Sequence, residues 1–354
     1  MPRRASPPLP AVTRLIAGGK RWGAPAATAR TALLDSYPHP VTDQEWTETG
    51  MAAGHGAVQT KRDRESRLAG YAFITPTTVL LTLFYLYPLV RTIVYSFTNW
   101  NPTGFTASHG VGFANYIAIF KDPSFLIALR TTFVFVIVVV PVAMASGLVI
   151  AALLRTPLKG RSLFRTLIFL PYIAPVVGSA LIFTYLATPF GGLFNVPVRL
   201  LGRTPINFLA TGGWSLAVVI VFTIWMQIGY TMIIYSSAMS VIPSSYYEAA
   251  MMDGANTLKQ FLNVTVPLVA PTTAFLSVTG TLSALQAFTQ IQILTRGGPT
   301  GQSTTLLYWI YQQGFVTQNG GAATAAAVVM LLIGLIVAVV QLRINARRGS
   351  VDLQ

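Results

Sequence analysis

Two short stretches carry residues whose types and spacing could do chemistry. The first reads Glu248-Ala249-Ala250, two methionines, Asp253-Gly254-Ala255 and, further on, Val264, Val266 and Pro267. Its acids stand out because acids are scarce: between Glu65 and Glu248 the only one is Asp122. The second stretch sets Thr279, Ser283, Gln286 and Gln290 at steps of four, three and four. On a continuous helix those steps put hydroxyl and amide groups on one face. Neutral donors and acceptors suit an uncharged polyol in a wet cavity; they equally suit hydrogen bonds that glue one helix to another. Trp225, Gln227 and Tyr230 are weaker candidates of the same kind.

Other chemistries lack their residues. There is no Cys, so thiol nucleophiles, disulfides and zinc-thiolate sites are excluded. The three His are His39, His55 and His109, and none has a partner at metal-ligand spacing. No G-x-x-x-x-G-K-[ST] phosphate loop occurs; Gly18-Gly19-Lys20 lacks the earlier Gly and the Ser/Thr. The expectation is a non-catalytic chain that binds no cofactor. The net charge of +14 comes from short clusters beside apolar runs rather than a basic-aromatic strip, which argues against nucleic acid.

The composition says where these stretches sit. Hydrophobic residues make up 53% and charged residues 10%, against about 25% charged in soluble domains. Most of the chain therefore cannot face water. Six apolar runs, at about 70–96, 131–154, 167–186, 214–239, 271–294 and 322–342, each reach the length that spans a bilayer. Backbone groups find no water in lipid, so each run is expected to be one helix. Pro141 and the pair Pro171 and Pro175 predict kinks inside the second and third. The fold class is thus an all-α integral membrane protein, a six-transmembrane-helix bundle over residues 66–345. Residues 1–65 read as a largely disordered tail without a signal-peptide pattern, with 12–27 a candidate membrane-surface piece. Met51 opens a shorter frame, and 346–354 form a second tail.

Orientation follows from Lys and Arg near the span ends. If the tail is inside, the inner flanks hold Lys61, Arg62, Arg64 and Arg67, then Arg155, Lys159, Arg161 and Arg165, then Lys259, Arg343, Arg347 and Arg348. The outer flanks hold half as many: Arg91, Lys121, Arg130, Arg199, Arg203 and Arg296. Both termini and the loop at 241–270 are expected in the cytoplasm. That loop reads as helix–turn–helix. Pro243 opens the first helix, Ser244 is a candidate cap, and Gly254 permits the turn. A second short helix, 257–262, is ended by Pro267. Asp253 either touches a partner or caps the second helix.

Glu248-Ala249-Ala250, then Gly254, then Val264 and Val266-Pro267 resemble the EAA loop of ABC importer permeases, with Val standing where the family pattern has Ile and Leu. Glu248 to Ala255 is similar to the form found in carbohydrate-uptake permeases. Leu294 to Pro299, Ser303-Thr304, Tyr308 to Phe315 and Phe164 to Pro175 resemble the maltose-transporter F-subunit type, a binding-protein-dependent transport inner-membrane component. The resemblance covers about 66–345.

It implies a coupling helix that seats in an ATPase subunit, with Glu248 as the charged contact, Ala249 and Ala250 keeping the helix slim, and Gly254 as the turn. It implies a second homologous permease, an ATPase dimer that uses ATP and Mg, and an extracytoplasmic substrate-binding protein docking on outer loops 97–128 and 187–213. It places the chain in the inner (plasma) membrane and the family's sugar contacts on Ser283, Ala284 and Ala287. The expected substrate is a sugar or oligosaccharide, with a glycerophosphodiester or other polar solute as the alternative. An ion-coupled secondary transporter would need acids or His inside the spans, and a membrane enzyme would need clustered catalytic residues.

Overall fold

The computed structural model describes residues 70–104, 108–156 and 159–349, the last four of these without their side chains. The expected tail 1–65, its 12–27 piece, Met51, the basic cluster 61–67 and the last five residues lie outside that range. The chain divides into the units Met1–Pro76 and Thr77–Gln354. Of the first, only the opening turns of a helix are described; the second holds the bundle.

The elements are helices, in this order. α1 is Gly70–Tyr95, with a π turn at Thr82–Leu86. α2 is Ala114–Lys121 and α3 is Pro123–Leu153. α4 is Arg161–Ile173, α5 is Val176–Leu186 and α6 is Trp214–Ser240. α7 is Ser244–Met252 and α8 is Thr257–Leu268. α9 is Ala270–Leu285, α10 is Thr289–Leu294 and α11 is Leu306–Tyr311. α12 is Gly320–Gly349, passing the boundary expected at 345 without a break. α1, α3, α6 and residues Gly320–Asn345 of α12 are long and apolar enough to cross a membrane. The bent pairs α4–α5 and α8–α9 bring the number to six if each is one span.

Capping, not hydrophobicity, starts α3. Asp122 accepts from the Ser124 N–H at 2.8 Å and from its hydroxyl at 2.9 Å, and Pro123 fills the first helical position. The helix therefore begins eight residues before the apolar run at 131. Pro141 lies inside it without ending it. The third run is not one helix. Ala174 is extended (φ −70°, ψ 147°), as a residue before proline prefers, and α4 meets α5 at 98°. The fifth run is also broken. α9 ends at Leu285, and the Ala287 carbonyl freed there accepts from the Thr305 hydroxyl at 2.9 Å.

α3 and α6 form the central crossing. A Cβ added at Gly147 would overlap Thr231 Oγ1 and lie 2.8 Å from the Met232 nitrogen, so the backbones meet there. The Thr231 hydroxyl donates to the Ala143 carbonyl across the same gap at 3.0 Å. α11 docks on the start of α3: the Leu306 N–H donates to Thr132 Oγ1 at 2.7 Å, and Trp309 Nε1 donates to Ser124 Oγ at 2.8 Å. Phe135, Val139, Phe222 and Ile291 fill the core beside the crossing. Large apolar side chains such as Ile137, Ile182 and Leu335 remain exposed on the spans, as a lipid-facing surface requires.

Candidate functional site

The polar residues of the fifth run do not share one continuous helix. Thr279 and Ser283 lie on α9, Gln286 caps its end, and Gln290 belongs to α10. The break nevertheless returns them to one place. A cavity of about 350 Å3 is lined by Ser283, Gln286, Ala287 and Gln290, with Tyr172 and Gln227 opposite. A second cavity, of about 220 Å3, takes in Thr279, Thr231 and Tyr230 and shares Tyr172, Gln227 and Ser283 with the first. Among the described residues, no charged one lines either cavity. Tyr172 reaches this position because α4 ends at the Pro175 break, and its ring stacks on Tyr230 with centroids 5.0 Å apart.

Hydrogen bonds separate the polar groups into two sets. Among the described residues, the side chains of Ser283, Gln286, Gln290 and Gln227 make no hydrogen bond within the chain, and all four residues line the larger cavity. The Thr279 hydroxyl turns back to the Phe275 carbonyl at 3.0 Å. Helix gluing occurs elsewhere on α9, where Gln341 Nε2 of α12 donates to Thr281 Oγ1 at 3.1 Å. The rule that singles out Gln286, an amide within a span, could have found Gln341. Trp225 packs against Phe183 and Phe222 and lines neither cavity. Ala284 is buried, while Ala287 lines the larger cavity.

The loop at the other candidate stretch is a helix–turn–helix. Pro243 precedes the first residue of α7, and Ser244 is that first residue, with no side-chain cap. Pro243 sets the entry with φ −58° and ψ 141°, so the capping role expected of Ser244 is absent. α7 closes in a Schellman turn: the Gly254 N–H donates to the Met251 carbonyl at 3.0 Å and the Ala255 N–H to the Ala250 carbonyl at 2.9 Å. Gly254 has φ +74°, which explains the glycine.

Asp253 does not cap α8. Asn256 does, accepting from the Lys259 N–H at 2.9 Å, a role its type and place could have announced. Nor does Pro267 end the helix. It sits near the start of its last turn, after a π turn at Phe261–Thr265, and the bend falls at Val269. Glu248 and Ala249 are exposed on α7, with Tyr246, Met251 and Met252, while Val264 and Val266 are half-buried on α8. Tyr247 holds the loop down. Its hydroxyl is 3.0 Å from Thr265 Oγ1, and its ring carries the Arg155 guanidinium.

The long loops 97–128 and 187–213 are built rather than slack. Segment 97–128 contains α2. In 187–213, buried Asn195 donates to the carbonyls of Thr188 (3.0 Å) and Ile206 (2.9 Å) and accepts from the Ile206 N–H (2.7 Å). Among the described residues no group of three or more His, Cys, Asp and Glu is placed to hold a metal ion.

A helical bundle with an uncharged polar cavity at its centre and an exposed short-helix loop is the layout of a membrane permease. Residues 143–350 match the family described as "Binding-protein-dependent transport system inner membrane component", and the chain belongs to that family. It is a non-catalytic transport subunit of a system that works with a substrate-binding protein, and the resemblance to ABC importer permeases is borne out. The sn-glycerol-3-phosphate transport system permease protein UgpA of Yersinia pestis is 32% identical over 78% of this chain and 94% of its own length. The lactose transport system permease protein LacF of Rhizobium radiobacter is 33% identical over 70% of this chain and 83% of its own. In fold, the chain is similar to a bacterial ABC transporter involved in import of the acidic polysaccharide alginate. The TM-score is 0.71 at 22% identity, over 82% of this chain and 99% of the other.

Proposed function

We propose that this chain is one of two homologous permeases in an ATP-driven importer of a neutral sugar or oligosaccharide. The supporting observation is the pair of joined cavities around Ser283. They offer unpaired hydroxyls and amides together with the Tyr172 and Tyr230 rings, and no charge. Uncharged polyols bind through such groups, since every hydroxyl is both donor and acceptor. A phosphate ester or an acidic saccharide in the same space would desolvate its charge without a cation to meet it. The sn-glycerol-3-phosphate permeases among the relatives keep a phosphorylated polyol as the second reading; for it, the second permease must supply the cation.

In this reading α7 is the coupling helix. Glu248 is its charged contact with an ATPase subunit, and Ala249 and Ala250 leave room for insertion. The ATPase dimer uses ATP and Mg. The loop end of the bundle, with both termini, faces the cytoplasm, and the outer loops receive the binding protein. Closing the ATPases moves α7 as a rigid body, and the bundle changes the side to which its cavities open.

The test is uptake by the reconstituted complex of both permeases, the ATPase and the binding protein. Neutral disaccharides and sn-glycerol 3-phosphate compete against each other as labelled solutes. Uptake of the neutral sugar, weakened by Gln286→Ala, is the expected result. Uptake of the phosphate ester alone would overturn the sugar reading, and normal coupling in both Glu248→Ala and Gly254→Asp would overturn the role of α7.

A further inference from the structure

A further hollow lies away from both candidate sites. It is a groove of about 530 Å3 between the end of α1, the start of α12 and the α11 segment. Its inner walls are Tyr87, Pro88, Ile310 and Ala327, and its outer rim is Trp100 and Pro102. Arg91 also lines the groove and, among the described residues, is its only charged one. The Trp100 ring stacks on Tyr95, 4.6 Å between centroids.

Depth follows from helix length. α1 has 26 residues, about 39 Å at 1.5 Å per residue, longer than the roughly 30 Å hydrocarbon layer. Arg91 lies four residues from its end, about 6 Å, close enough for its long side chain to reach the head groups. Tyr87 and Ala327 lie a turn or more deeper on their helices, within reach of acyl chains. The groove thus runs from a polar, aromatic rim past one cation into an apolar trough.

That cation is undersupplied with acceptors. Arg91 donates one N–H to the Tyr95 hydroxyl and lies over the same ring, 4.6 Å from its centroid. No carboxylate pairs with it among the described residues. A guanidinium has five N–H donors, and a phosphodiester takes two at once in a fork.

We infer that this groove binds an anionic phospholipid, with its phosphate on Arg91 beside the stacked Tyr95 and Trp100 rings and an acyl chain laid along Pro88, Ile310 and Ala327. The charge selects an anionic head group, and the trough selects a lipid over a free phosphate ion. A lipid here joins α1 to α12, the two helices at the edge of the bundle, and is an integral part of the outer face.

The test uses the full chain, purified with its partner subunits in mild detergent and titrated with dioleoylphosphatidylglycerol or dioleoylphosphatidylcholine under native mass spectrometry. Phosphatidylglycerol should be retained preferentially. Arg91→Gln should cut that retention about fivefold, the weight of one arginine facing an anionic head group, while Arg91→Lys keeps most of it. Arg199→Gln, an exposed arginine on the outer loop, should change nothing. A photoreactive phosphatidylglycerol should label peptides from 87–102 and 310–327, and inorganic phosphate should not compete. Equal retention of both lipids, no effect of Arg91→Gln, or crosslinks from Arg91-region peptides to the second permease in place of lipid would each overturn the inference.

Discussion

The guanidinium of Arg155 lies over the ring of Tyr247, 3.7 Å from its centroid. Arg155 follows the end of α3, and Tyr247 precedes Glu248 on α7. The pair therefore ties the exposed loop to the helix that crosses the bundle at its centre. A cation–π contact at an exposed site contributes about 0.5–1 kcal/mol, enough to set an orientation but little of the total stability. Arg155→Gln should lower transported solute per ATP about threefold, with thermal stability and ATPase-subunit binding unchanged. Arg155→Lys should fall between the two. A coupling ratio unchanged in Arg155→Gln would remove the pair from any transmitting role.

Gly254 offers a graded test of the Schellman turn. At φ +74°, an Ala costs about 1 kcal/mol, Asn less, and a β-branched Val more. Transport by the three variants should decline in the order Asn, Ala, Val. Hydrogen exchange of the α7 amides should accelerate in the same order. Equal activity of the Asn and Val variants would mean that the turn geometry is not what the loop needs.

At the α3–α6 crossing, Gly147→Val places carbon where Thr231 and the Met232 backbone already stand. Overpacking of this kind costs about 1–3 kcal/mol or more, and here neither backbone can yield alone. The variant should lose most of its monodisperse yield on size exclusion, whereas Gly178→Ala, where open space surrounds the added Cβ, should not.

The two sets of polar groups on α9 and its end should separate in function. Ser283→Ala and Gln286→Ala, which change unpaired cavity groups, should each weaken solute affinity of the complex about three- to tenfold. Thr279→Val should change it little, because that hydroxyl is spent on the Phe275 carbonyl. Gln341→Leu should lower thermal stability and leave affinity alone, because its amide joins α12 to α9. Loss of affinity in Gln341→Leu would reverse that division.

The apolar runs announced the spans, because lipid forces their backbones into helices. The Glu248 to Gly254 pattern announced a short helix with a left-handed turn. The breaks were harder to see. Pro141 and Pro175 are the same residue type, yet α3 runs through one and α4 ends before the other, so residue type alone does not mark the break. The gap after Leu285 carries no proline or glycine, and the carbonyl it frees at Ala287 is taken by Thr305, eighteen residues on. The steps of four, three and four therefore picked out residues that line the same pair of cavities, although the helix they assume is not continuous. Asp122 was legible as a cap from type and position, but α3 was placed by its apolar run, which does not mark a capped start; α8 begins at Thr257 as expected, with Asn256 rather than Asp253 as its cap.

The crossing at Gly147 also has a mechanical meaning. Two helices pinned where their backbones touch cannot slide there, and they can only rock. From Gly147, α3 extends about 36 Å toward Pro123 and about 9 Å toward Leu153, the end that leads to Arg155. The arms differ about fourfold, so rocking as a stiff beam would turn each ångström of movement at the α7 end into about four at the opposite end, in the reverse direction, carried with the α11 segment bonded there.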